Sequence, residues 1–126
     1  MSGFEVTQSN DGQVVTLRLK GFLDAHTAPQ LESALQRCVE EGQYKVVVNF
    51  EDLTYISSAG LGVFMGYIEQ FRGKQGDIKL SSMSPKIYRV FDLLGFPALY
   101  DILESEEQAK EKFAADSQQA TKKGGE

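Results

Sequence analysis

At 126 residues with 41% hydrophobic content, the chain has enough material for one hydrophobic core and too little for two. Its 18 acidic against 13 basic residues give a net charge of −5, which excludes a surface built for nucleic acid and favours a protein partner or a small ligand. No apolar run reaches the roughly 18 residues of a membrane span, and no basic segment leads into an apolar one at the N-terminus, so a cytoplasmic protein is expected.

Two strands open the chain. Phe4 to Gln8 and Gln13 to Lys20 flank Asn10-Asp11-Gly12, whose Asp-Gly pair signals a hairpin, and Val15, Leu17 and Leu19 alternate with polar residues. Thr27-Ala28-Pro29-Gln30 has capping-box spacing, and Leu31, Leu35, Cys38 and Val39 form the apolar stripe of a helix from Ala28 to Glu41, closed by Gly42. Cys38, the single cysteine, cannot form an internal disulfide, and its place on the stripe predicts a buried structural thiol. Val46-Val47-Val48-Asn49-Phe50, within a strand from Lys45 to Phe50, reads as a buried strand of a parallel sheet. A loop over Asp52 to Ser58 then leads into a helix from about Ser58 to Gly73, with Leu61, Met65, Ile68 and Arg72 at helical spacing and Phe64 and Phe71 widening the stripe.

Gly76 marks the turn before a strand from Asp77 to Ser82. Ser84-Pro85 is a cap followed by proline at the first helical position, with Ile87, Val90, Phe91 and Leu94 as the inner face of a helix ending at Gly95. A strand over Leu99 to Leu103 and a helix over Glu106 to Ala115 complete the alternation, and residues 116–126 read as a disordered polar tail after a single domain of residues 1–115. The order predicts an α/β fold: a mixed, mainly parallel sheet of about five strands with about four helices. Loops leaving the carboxyl ends of parallel strands share one rim, so Gly21 to His26 and Asp52 to Ser58 should be neighbours.

That rim carries the adjacent hydroxyls of Ser57 and Ser58 at a helix start, where a serine can cap free N–H groups or hold a phosphate. Capping alone and a phosphate switch both fit the local pattern. A phosphate there, near Asp24 and Asp52, would be repelled by about 1 kcal/mol from each exposed carboxylate. Catalysis fits poorly: His26 is the only histidine, and Ile56-Ser57-Ser58-Ala59-Gly60 lacks the glycine that precedes the serine of a nucleophile elbow. Gly60-x-Gly62 and Gly73-Lys74 have the wrong spacing for a phosphate-cradling loop. The reading is therefore not an enzyme, with no metal and no cofactor.

Gly21-Phe22-Leu23-Asp24-Ala25-His26-Thr27, then Asn49-Phe50-Glu51-Asp52-Leu53, Ile56-Ser57-Ser58-Ala59-Gly60-Leu61-Gly62, and Ser84-Pro85 before Phe91-Asp92, resemble the STAS domain of anti-sigma-factor antagonists, in order from Phe4 to Phe113. The family's motif of aspartate, serine, serine or threonine, and glycine falls on Ser57, Ser58, Ala59 and Gly60. The resemblance implies that Ser58 is phosphorylated, with Ser57 as the alternative acceptor at the aspartate position. It also implies partner binding through Asp24, Asp52, Ser57, Ser58, Gly60 and Gly62, with Asn49 a structural hydrogen-bonding residue. Gly62 and Gly66 lie one turn apart, and close approach of a partner and internal packing explain them equally. The implied partners are an anti-sigma factor that is also a serine kinase, which supplies ATP and Mg²⁺, and a protein phosphatase, with no direct contact to nucleic acid. A constitutive adaptor in a stressosome-like or lipid-transport assembly is the alternative.

Overall fold

Ten elements arise from these patterns in the computed structural model, which describes residues 3–124, with side chains described through Asp116. They are β1 (Phe4–Asp11), β2 (Val14–Leu23), α1 (Ala28–Glu40), β3 (Lys45–Ile56), α2 (Ser58–Arg72), β4 (Asp77–Ser81), α3 (Pro85–Leu93), a 3-10 turn (Phe96–Ala98), β5 (Ile102–Leu103) and α4 (Glu106–Gly124). The strands lie in the order β1-β2-β3-β4-β5, with β1 antiparallel to β2 and every other pairing parallel. This is the expected mixed, mainly parallel sheet with four helices.

The hairpin forms where expected, one residue later than the Asp-Gly pair suggests. Asp11 pairs with Val14, and Gly12 takes the positive φ of 64° that the tight turn requires. Alternation along β2 then buries Val15, Leu17, Leu19 and Leu23 on one face of the sheet. Val46, Val48 and Phe50 of β3 and Ile78 and Leu80 of β4 join them in one core with α1, α2 and α3, centred on the packed rings of Phe50, Phe64, Phe91 and Phe96. The opposite face is covered by α4, where Val47 meets Ala109 and Phe113.

Four local expectations change. Thr27 forms no capping bond within α1, because its hydroxyl donates instead to the Phe22 carbonyl at 2.8 Å and accepts the Asp24 N–H at 2.9 Å. Met65 is 61% exposed, because α2 turns Gly60, Leu61, Val63, Phe64 and Phe71 inward. Leu94 is also exposed, since it follows the end of α3 and precedes Gly95, whose φ of 78° turns the chain away. The last strand shrinks to Ile102–Leu103, because Phe96-Pro97-Ala98 takes a 3-10 turn and buries Phe96 and Tyr100. By contrast, Ser84 caps α3 as expected, accepting the Ile87 N–H at 3.2 Å. Cys38 is buried and its thiol is pushed up to about 11, mainly by burial.

At the far end, α4 continues through Gly124, and Asp116, assigned by sequence to the tail, is ion-paired to Lys79 at 2.9 Å. The side chains of residues 117–126, most of the expected tail, lie outside the described residues.

Candidate functional site

The rim is built by the carboxyl ends of β2 and β3, adjacent parallel strands whose last paired residues are Leu23 and Ile56. The Ser57 N–H donates to the Leu23 carbonyl at 2.9 Å, which brings the Asp24 and serine segments side by side. The expected neighbourhood of the two loops is therefore present, but the second loop is shorter than expected. β3 continues through Asp52 to Ile56, so Asp52 is a strand residue in register with Lys20, not a loop residue beside the serines.

The extra length of β3 is accommodated by register shifts against β2 between Arg18 and Lys20 and between Gly21 and Phe22. Asn49 satisfies the first. Its Oδ1 accepts the Glu51 N–H at 2.7 Å and its Nδ2 donates to Glu106 at 2.6 Å, so it is structural, as the sequence implied. The Thr54 hydroxyl spans the second shift to the Gly21 carbonyl at 3.1 Å.

Asp24 anchors the other side of the rim. Its Oδ1 accepts the N–H groups of His26 at 2.9 Å and Thr27 at 3.2 Å, a short-range turn that starts α1 in place of the expected capping box. The carboxylate is half-buried, so it acts as a structural cap and still presents charge at the surface. His26 is exposed and is held here through its backbone.

The two serines differ. Ser57 is the residue before α2, yet its Oγ makes no capping bond, is closed off from solvent and has no hydrogen-bond partner. Ser58 is exposed in the first helical turn, where free N–H groups and the positive end of the helix dipole favour added negative charge. The glycines also separate. A Cβ on Gly60 would stand 2.7 Å from Leu23 Cγ, so Gly60 permits α2 to pack against β2, whereas Gly62 and Gly66 face open space. Internal packing therefore accounts for Gly60 and not for the other two.

Sequence reasoning missed one feature of the rim. Phe22 and Tyr55, register partners on β2 and β3, are 55% and 46% exposed with ring centroids 6.1 Å apart. Strict alternation from the buried Leu23 and Ile56 was the available signal, because it turns both aromatic residues outward.

A model of the STAS domain matches residues 5–109 of this sequence. The chain belongs to the STAS domain family. Among STAS relatives, it is 35% identical over 103 residues to BtrV of Bordetella bronchiseptica, a protein named as an anti-sigma factor antagonist, covering 82% of this chain and 88% of BtrV. It is 32% identical over 91 residues to the anti-sigma-B factor antagonist of Staphylococcus epidermidis, covering 72% of this chain and 84% of the relative. The STAS fold is shared with the anti-sigma factor antagonist SpoIIAA in its unphosphorylated form, at a TM-score of 0.76 and 24% identity over 88% of this chain and 97% of that one. The phosphorylated form of Bacillus SpoIIAA superposes with a TM-score of 0.67 at 25% identity, covering 86% of this chain and 97% of that one. Among the described residues, no helix of this STAS domain is long and apolar enough to cross a membrane.

Proposed function

We propose that this STAS domain is an anti-sigma factor antagonist working as a phosphorylation-controlled partner switch. With Ser58 unmodified it binds an anti-sigma factor that is also a serine kinase; the kinase transfers the γ-phosphoryl group of its ATP to the Ser58 hydroxyl, and the modified protein dissociates until a phosphatase removes the group.

One observation carries this reading: of the two adjacent hydroxyls, only Ser58 is open to a kinase, at a helix start that tolerates the product. The added −1.5 to −2 charges are stabilised in the free domain by the dipole of α2, a surface effect of roughly 0.3–1 kcal/mol. In a complex the same charge would be buried beside the half-buried Asp24 with no new partner, which is costly. Phosphate thus favours the free protein over the bound one. Asp52, whose pair with Lys20 lies three paired rows before the Leu23–Ile56 pair that ends the ladder, contributes less to this repulsion than its place in sequence suggests. The anti-sigma factor antagonists among its relatives and the phosphorylated SpoIIAA structure support the same reading.

Incubation with the cognate kinase and ATP, followed by peptide mass spectrometry, tests the assignment. One phosphate at Ser58 is expected, unaffected by Ser57→Ala and abolished by Ser58→Ala. Equal modification of Ser57 in the Ser58→Ala protein would overturn it.

A further inference from the structure

The second face of the sheet is unlike the first. Parallel strands covered on both sides are ordinarily apolar on both, yet two of the registered rows that β2, β3 and β4 turn toward α4 are Thr16, Val47 and Lys79, then Arg18, Asn49 and Ser81. Only Val47 among these six is apolar, and among the described residues the apolar contact beneath α4 is Val47, Val14 and Leu103 against Ala109 and Phe113.

Charged groups hold the helix at both ends of this contact. In the first turn, Glu106 takes two hydrogen bonds from Arg18, at 2.7 and 2.9 Å, and one from Asn49 at 2.6 Å. About three turns on, Asp116 reaches the ammonium of Lys79 at 2.9 Å, and the Phe113 ring centroid lies 4.6 Å from the same nitrogen. Lys79 is 1% exposed, a position at which a lysine is ordinarily costly. Its other two carboxylates, Asp77 at 3.0 Å and Asp101 at 2.7 Å, come from the sheet and the loop before β5 rather than from α4.

Removal of α4 would therefore leave no buried unpaired charge. Lys79 would keep Asp77 and Asp101, and Arg18, already exposed, would keep its bond to Ser9 at 3.0 Å. We propose that α4 is a detachable strap: it lifts from the sheet as one unit while β1–β4 and α1–α3 remain folded, exposing a polar surface instead of the core. Its docking combines the ionic contacts of Glu106 and Asp116 with the burial of Ala109 and Phe113, and this holds whether or not Ser58 is a switch.

Native-state amide exchange on the full chain, followed by NMR, tests the proposal. The amides of Lys110 to Phe113 are expected to exchange at one common opening, far more populated than the opening that exposes β2 and β3 and less dependent on denaturant than that one. Asp116→Asn and Glu106→Gln should each raise that opening by about tenfold or more, the loss expected for a hydrogen bond to a charged group, and the opening of β2 and β3, which includes loss of α4, should rise by the same factor, so the gap between the two openings is kept. Protection of α4 equal to that of β3 in the wild type would overturn the strap, as would a gradient rising steadily toward the C-terminus, which is fraying. Unchanged exchange of α4 in both variants would overturn the ionic docking too.

Discussion

Single atoms decide how the rim behaves. Ser58→Asp, an imperfect phosphate mimic, is expected to keep the fold and bind the kinase at least about tenfold more weakly, or roughly 1.4 kcal/mol, while Ser58→Ala binds normally and resists release by ATP. Calorimetric titration of the three forms would check this, and equal affinities of wild type and Ser58→Asp would favour a constitutive adaptor. Asp24 combines a cap with a charge, and Asp24→Asn separates them: the amide oxygen can still accept the N–H groups of His26 and Thr27, so melting should stay near wild type while partner affinity falls. Asp24→Ala should additionally cost about 1 kcal/mol of stability, read by chemical denaturation. The glycines make an opposed pair. Gly60→Ala drives a methyl into Leu23 and should destabilise by about 1–3 kcal/mol, whereas Gly62→Ala, in open space on an exposed helix position, should stabilise by about 0.5–1 kcal/mol. If Gly62 meets the partner, that stabilised variant will bind more weakly.

At the level of elements, β3 is the piece that makes the site. Its first half is a buried strand of ordinary length, paired on both sides, and its second half continues beyond β4, paired only with β2 and shifted in register to deliver Ser57 and Ser58 at the rim. The buried strand was legible from the Val-Val-Val run, but Glu51-Asp52-Leu53-Thr54-Tyr55 carries the charged and polar residues of a loop. It is a strand because β2 offers a ladder to pair with and Asn49 and Thr54 satisfy the backbone where the register shifts. In α1, the stripe placed Cys38 correctly against the core. With its thiol pushed up to about 11, Cys38 should resist alkylation at pH 8 in the native protein and react at the ordinary thiol rate once unfolded. Mass-spectrometric labelling with and without denaturant checks this, and rapid native labelling would show that α1 opens locally.

For the whole molecule, charge is placed asymmetrically between the two faces. The Arg18 hydrogen bond, reinforced by Asn49, holds the Glu106 carboxyl below its ordinary value against the opposing effect of burial. A carboxyl whose folded pKa is depressed stabilises the fold above its unfolded value and loses that contribution as the pH falls through the folded value. Burial is the largest single influence on Asp116 and works against its ionised form, but the hydrogen bond and charge of Lys79 and the nearby Lys112 together outweigh it and lower that carboxyl too. Stability should therefore decline as the pH drops below about 4.5, the ordinary glutamate value, and Glu106→Gln should flatten that decline in denaturant titrations across pH 3–6. An unchanged slope would show that the Arg18 contact contributes nothing to folding.

The order of elements, the hairpin, the cap of α3, the buried thiol and the shared rim of the two loops were all determined by sequence, because each depends on local periodicity, a turn residue or the rule that adjacent parallel strands end on one side. Tertiary structure alone decided which way Met65 and Leu94 face, which serine is open, which glycine is packed, and that Asp52 belongs to a strand. Those outcomes depend on the rotation of α2 against β2 and on the pairing partner available to β3 beyond Asn49. Both are contacts between segments far apart in the chain, and no spacing within a single segment encodes them.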